Sequence, residues 1–334
     1  MNWESKNVVV TGASSGVGRA VVREFASHGA NLGLIARGVD GLRGAQAEVE
    51  QEGGRAVIAQ ADVADADQVE QAAERIEQEL GPIDVWVNNA MTTVFSPLKD
   101  ITPAEFRRAT EVTYLGTVYG TMSALRRMSL RNRGTIVQVG SALAYRAIPL
   151  QAPYCGAKHA VRGFTDSLRS ELLHEGQNIG LTMVQLPALN TPQFSWCRTR
   201  LPNHPQPVPP IFQPEVAARG IVWAAEHCPR ELNVGWTTSL TINGNKLLPG
   251  YGDHYLAKNG WEGQQTGEPV DPDRPSNLFE PVPGDHGAHG VFDSRATDHS
   301  PQQWLTRNGT SIGLTMAASA LVATGLTLLF RRSI

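Results

Sequence analysis

Tyr154 and Lys158 stand four positions apart in Tyr154-Cys155-Gly156-Ala157-Lys158, with Ser141 upstream and the glycine-rich Thr11-Gly12-Ala13-Ser14-Ser15-Gly16-Val17-Gly18 near the amino terminus. That spacing puts both side chains on one face of a helix, so an ammonium sits beneath a phenol. A free phenol, with a pKa of about 10, is protonated at neutral pH, and a neighbouring cation favours its ionised form. Such a pair is suited to proton exchange near neutrality, the acid–base half of a hydride transfer. The glycine-rich stretch follows an apolar run and opens a helical one, the place where backbone amides meet a pyrophosphate. Ser141 in isolation reads as a turn hydroxyl, and its company is what makes it a candidate.

These residues need a scaffold. Short β-branched runs at 7–10, 31–36, 56–59, 84–87, 135–139, 181–186 and 239–242 read as strands. Helical stretches lie among them at 16–28, 41–51, 66–79, 103–128, 154–174 and 214–226. Strands apolar throughout are covered on both faces, which predicts an α/β fold: a doubly wound Rossmann-type parallel sheet flanked by helices. With 334 residues, 41% of them hydrophobic and 18% charged, the chain has ample material for that core. A formal net charge of −3 without a Lys/Arg stripe argues against nucleic acid as a partner. Cys155, Cys197 and Cys228 are too few and scattered for a disulfide framework, which fits a reducing compartment. The first residues lack the features of a secretory signal, so a cytoplasmic catalytic domain is expected.

Over about residues 5–245 the chain resembles the short-chain dehydrogenase/reductase family. Thr-Gly-x-x-x-Gly-x-Gly, then Asn88-Asn89-Ala90, then Ser141, then Tyr154-x-x-x-Lys158 follow the family order with family-like spacing. The resemblance implies that Ser141 hydrogen-bonds the substrate oxygen and Tyr154 exchanges its proton. It also implies that Lys158 holds the nicotinamide ribose while lowering the tyrosine pKa. Gly12, Ser14, Ser15, Gly16, Val17 and Gly18 would then cradle the dinucleotide, with Asn89 and Ala90 skirting it and Asn88 tying neighbouring strands.

Cofactor choice rests on the end of the second strand, Leu34-Ile35-Ala36-Arg37, which offers no carboxylate to ribose hydroxyls. Arg37 has the planar fork suited to a 2′-phosphate, so NADP(H) is expected, a surface arginine without ligand being the alternative. Asp62 and Val63 resemble the family's adenine-edge contact, though an aspartate after a strand also serves as a helix cap. Pro187, Leu189 and Thr191 resemble the segment facing the nicotinamide carboxamide, with Ala188 replacing the usual glycine, and 192–214 falls where the family places a substrate lid. Thr113 stands where many relatives carry an asparagine that holds a water for proton relay. Its hydroxyl is the candidate for that part, over a shorter reach. Met91 replaces a common glycine and adds bulk near the pocket. His286 and His289 have ligand-like spacing, but flanking glycines and the lack of a further ligand cluster argue against a metal.

The expected organisation is a catalytic domain at 1–245, a Pro/Gly-rich extension at 246–308 draped on it or serving as a tether, and a candidate membrane-spanning helix at 309–330 with a short tail at 331–334. Within the last of these, 311–330 runs for 20 positions without a charge, the length a membrane-spanning helix needs. The chemistry implied is NADP(H)-dependent interconversion of a carbonyl and a secondary alcohol on a small, apolar substrate, in a homo-oligomer tethered to a membrane by its carboxy-terminal helix. The other reading is a membrane-tethered NADP(H)-binding sensor or scaffold with weak or lost catalysis.

Overall fold

The computed structural model describes residues 3–308; the candidate membrane-spanning helix at 309–330 and the tail at 331–334 lie outside the described residues. In chain order the elements are β1 Asn7–Thr11, α1 Gly16–Ser27, β2 Asn31–Ala36, α2 Val39–Gln51, β3 Ala56–Gln60, α3 Ala66–Leu80, β4 Val85–Asn88 and the short β5 Val94–Phe95. Next come α4 Pro103–Thr110, a π-helical turn at Glu111–Leu115, α5 Gly116–Arg131, β6 Gly134–Val139, α6 Ala152–His174 and β7 Ile179–Gln185. The remainder comprises α7 Gln193–Trp196, β8 Arg198–Thr199, β9 Asn203–Pro205, β10 Ile211–Phe212, α8 Pro214–His227, β11 Glu231–Asn233, α9 Trp236–Leu247, α10 Pro249–Asn259, β12 Gln265–Pro269 and β13 Ala296–Thr297.

Seven strands form the sheet in the order β3-β2-β1-β4-β6-β7-β11, and every pairing is parallel. The apolar runs explain this: Val8, Val9 and Val10 in β1 are wholly buried, as are Trp86 and Val87 in β4, because helices cover both faces. Strand order reverses between β1 and β4, and at such a switch point the loops leaving the carboxyl ends part to leave a crevice. All the loops carrying the predicted motifs leave from that edge.

Two expectations are corrected. Residues 239–242, read as a strand, are helical within α9, and β11 takes the seventh place in the sheet by pairing Glu231 with Met183 of β7. The Thr and Ile residues that suggested a strand serve a helix packed on its outer side, where only Thr238 and Ile242 are buried. The single helix expected at 103–128 is divided by the π-helical turn, an insertion that shifts which side chains face inward.

The segment beyond α10 lies over the domain and builds no core of its own, although Leu278, Ala288 and Phe292 are buried beneath it. Phe292 joins Phe95, Phe194, Leu201 and Ile211 in a small apolar cluster that carries the 192–212 segment. Glu105 pins the same segment: its carboxylate meets Arg198 at 2.9 Å and Arg200 at 2.8 Å. Burial alone would raise the Glu105 pKa, but hydrogen bonds from Arg200, the Thr102 backbone and Arg198 outweigh it and hold the carboxyl down at about 2.

Candidate active site

The glycine-rich loop is held by the strand beside it. The Thr11 hydroxyl accepts from the backbone amides of Asn89 at 3.0 Å and Ala90 at 3.1 Å, and the Asn89 side chain donates back to the Thr11 carbonyl at 3.0 Å. Asn88 ties strands and helix together, donating to Gln138 and Thr121, each at 3.0 Å. Gly12 takes a φ of +69°, open to glycine, and a Cβ on Gly18 would lie 2.0 Å from the Gly12 carbonyl oxygen. Gly18 therefore sets the closeness of loop and helix while Gly12, Ser14, Ser15, Gly16 and Val17 line the cavity. Ser15, the residue before α1, makes no side-chain cap, which leaves the first turn of that helix to be capped from outside.

Ser141 follows β6. Its amide donates to Gln185 Oε1 at 2.7 Å, and its hydroxyl accepts from the Leu143 amide at 3.1 Å and is also hydrogen-bonded to Tyr154. Tyr154 and Lys158 occupy successive turns of α6, with Lys158 Nζ 5.6 Å from the centre of the phenol ring. Lys158 is 2% exposed and donates to the Val139 carbonyl at 2.6 Å. Ser141, Tyr154 and Lys158 all line the same cavity as the glycine loop.

Burial governs their ionisation. Burial pushes the Tyr154 phenol well above its ordinary value, against a smaller opposing effect of the Ser141 hydrogen bond. Burial likewise brings Lys158 down to about 8. The net direction is set by burial, which disfavours charge on both groups, and the ammonium is turned toward a carbonyl.

The ends of the other strands complete the cavity. Arg37, after β2, lines it, but its guanidinium donates to the carbonyls of Asn277 and Phe279. Asp62 and Val63, after β3, also line it. The Asp62 carboxylate pairs with Arg108, and the cap of α3 is Asp65 instead. Asn89, Ala90 and Met91 follow β4 along the wall. Pro187, Leu189 and Thr191, after β7, line the far side, and the segment pairs with β10 through Phe212, whose amide donates to the Ala188 carbonyl at 3.0 Å. Ala188 keeps negative φ, so its replacement of glycine imposes no strain.

Thr113 is not brought to the cavity. It is wholly buried, its hydroxyl donating to the Thr92 carbonyl at 2.9 Å and accepting from the Thr92 amide at 3.1 Å. With its proton given to one backbone residue and a bond accepted from the same residue, the hydroxyl clamps the loop after β4 to the π-helical turn and has no proton left to pass to a relay water.

The cavity has a volume of about 920 Å³. Beyond Tyr154 its wall passes to Phe95, Ile148, Phe194 and Val208, then to Trp236 and Leu240 on α9, Leu248 between the helices, and Tyr251 and Tyr255 on α10. Those last five are all exposed, Tyr251 at 71%. Motif reading missed them, although Leu248, Tyr251 and Tyr255 recur at three and four, a helical apolar stripe. It also missed Asn277, Pro281, Val282, Gly284 and His286, a wall formed by the extension, whose composition carries no periodic signal. His286 meets Trp196 edge-on, and His289 lies between the carboxylates of Glu215 and Asp293.

These residues fit a nicotinamide dinucleotide. A Cβ on Gly12 would touch Ala90 at 2.9 Å and one on Gly18 would collide with the loop, so the backbone cradle exists only with glycine at both positions. A buried ammonium with a carbonyl partner borders the same space.

Comparison with known proteins agrees with this geometry. The short chain dehydrogenase family model matches residues 6–199. The chain is 31% identical over 281 residues to the uncharacterized oxidoreductase YxnA of Bacillus subtilis (strain 168), covering 84% of this chain and 79% of that protein. It is 28% identical over 244 residues to a fatty acyl-CoA reductase of Acinetobacter baylyi, covering 72% of this chain and 80% of the relative. Among solved structures, a short chain dehydrogenase from Mycobacterium paratuberculosis bound to NAD superposes with a TM-score of 0.62 at 24% identity, covering 70% of this chain and 97% of that one, a likeness of fold.

Proposed function

The chain belongs to the short-chain dehydrogenase family of oxidoreductases, and from that premise we propose that it is an NADP(H)-dependent enzyme interconverting a carbonyl and a secondary alcohol. The observation that carries this reading is the convergence of Ser141, Tyr154 and Lys158 on the cavity bordered by the glycine-rich loop. The bound nicotinamide supplies or accepts the hydride. Ser141 hydrogen-bonds the substrate oxygen, orienting it and stabilising negative charge as it develops. Tyr154 passes its phenolic proton to that oxygen in reduction and withdraws it in oxidation. Burial keeps the phenol protonated at neutral pH, which suits the donor role and the reductive direction. Lys158, titrating at about 8, is charged at neutrality and holds the ribose.

NADP(H) is supported by Arg37 and by the lack of a carboxylate at the end of β2. Only two of the five guanidinium donors face the Asn277 and Phe279 carbonyls, which leaves others for a phosphate. An apolar substrate is supported by the aromatic and aliphatic wall contributed by α9 and α10, and a relative named for a fatty acyl substrate accords with it. Among the described residues no helix is long and apolar enough to cross a membrane; the uncharged run at 311–330 supports a carboxy-terminal anchor. Homo-oligomerisation is supported by exposed Met122, Leu130 and Leu173 on α5 and α6.

The test is NADPH oxidation by purified protein with a panel of apolar ketones, aldehydes and acyl carbonyls, alongside Tyr154→Phe. The expected result is turnover in the parent and a loss of about 100-fold or more in the variant with NADPH binding retained. Binding of NADPH without turnover of any carbonyl would favour the sensor reading instead.

A further inference from the structure

Residues 277–287 cross the cavity on the side where the dinucleotide's adenosine and phosphates would lie, and they are tied down at both ends. At one end Asn277 donates from its amide to the Trp196 carbonyl at 3.0 Å, and Arg108 Nε donates to the Leu278 carbonyl at 3.1 Å. At the other, Arg19 of α1 grips Asp285 with both terminal nitrogens, at 2.9 and 3.1 Å, and the Gly284 amide donates to Asp40 at 3.0 Å. Arg19 is 1% exposed and is itself held by Glu48 at 2.6 Å, so its fork is fixed before Asp285 arrives. Between these ties Pro281, Val282, Gly284 and His286 face the cavity. The Gly287 carbonyl accepts the Gly16 amide at 3.0 Å, supplying from outside the cap that Ser15 withholds.

The anchors stand on opposite banks of the crevice. α1 and α2 belong to the β1–β2 side, whereas Trp196 belongs to the segment after β7. A chain bridging both banks roofs the space between them. Resting on the dinucleotide reading above, the geometry points to residues 277–287 as a strap belonging to the dinucleotide site, latched by Arg19 and Asp285. It sets how fast the cofactor enters and leaves. Because neither Arg19 nor Asp285 lines the cavity, opening the latch speeds both directions of exchange and changes the equilibrium affinity little.

The experiment measures NADPH association and dissociation by stopped-flow fluorescence in the full chain, with Asp285→Asn and Gly44→Ala. The second variant works from beneath: a Cβ on Gly44 would lie 1.9 Å from Asp285 Oδ2 and 2.7 Å from Arg19 Nη2, so it forces the two partners of the latch apart. Both variants are expected to raise both rate constants about tenfold while the dissociation constant moves less than about threefold. Thermal melting of each variant shows whether the domain remains folded, and Asp285→Asn, which preserves shape, carries the test should Gly44→Ala unfold. Unchanged rates in a folded Asp285→Asn overturn the strap while leaving the oxidoreductase reading intact, as does a weakened affinity with an unchanged association rate. A parent that binds neither NADPH nor NADH overturns the dinucleotide reading and the strap with it.

Discussion

The cavity has two halves built by different means. The half from the glycine loop to Tyr154 hangs from the carboxyl ends of β1, β2, β3, β4, β6 and β7, with each side chain placed by a few residues of local chain. The half made by 192–212, α9, α10 and the strap is held by ties between residues far apart in sequence: Arg198 and Arg200 to Glu105, Arg37 to Asn277 and Phe279, Arg19 to Asp285. In the first half backbone geometry does the positioning, so there is little tolerance of added atoms. In the second, charged hydrogen bonds position an otherwise polar chain with a few buried apolar anchors, and its surface is free to vary.

The sharpest way to break this contrast is Gly18→Ala. Its methyl has nowhere to go, and we expect a destabilisation of about 3 kcal/mol or more together with loss of NADPH binding; a melt and a fluorescence titration read both. Retained tight binding would mean that the strand-end half yields as easily as the other. Next in size is Glu105→Gln, expected to cost about 2 kcal/mol by leaving Arg198 and Arg200 short of their charged acceptor. The depressed Glu105 carboxyl stabilises the fold above its unfolded pKa of 4.5, and that contribution disappears as pH falls toward about 2. Acid titration of parent and variant should therefore converge as pH falls from 4.5 to about 2, and parallel curves would show that the ion pairs do not hold the segment.

Arg37→Gln tests the place where the halves meet. The ratio of NADPH to NADH affinity is expected to fall about tenfold. A ratio that stays put would assign Arg37 to the strap alone. The smallest effect belongs to Tyr251→Ala on the exposed face of α10: stability within about 0.5 kcal/mol of the parent, with KM for an apolar carbonyl rising about threefold. A large loss of stability there would make α10 part of the core.

The contrast also explains what could be read from the chain. Continuous apolar runs separated by stretches of helical spacing revealed six of the seven sheet strands, because a parallel strand covered on both faces has no polar side to blur it. The seventh was misplaced: Glu231–Asn233 is three residues long and only Leu232 of it is apolar, whereas Ser239-Leu240-Thr241-Ile242 mimics a strand inside α9. Ser141, Tyr154 and Lys158 were legible because their spacing is set by one strand end and one helix, and the structure brings them to one cavity. Thr113 was read from its place in the family pattern, and a π-helical turn whose hydroxyl bonds both backbone groups of Thr92 lies outside what a place in that pattern detects.

By itself, then, the amino-acid order determined the sheet, the glycine cradle and the residues offered for proton transfer, since each depends on periodicity, on φ or on neighbours a turn away. Tertiary structure alone decided that burial raises the phenol and lowers the ammonium, that Arg37 is shared with the carbonyls of Asn277 and Phe279, and that a polar extension roofs the crevice. Those outcomes depend on the distance between groups hundreds of residues apart and on the water excluded between them, quantities that exist only once the chain has closed on itself.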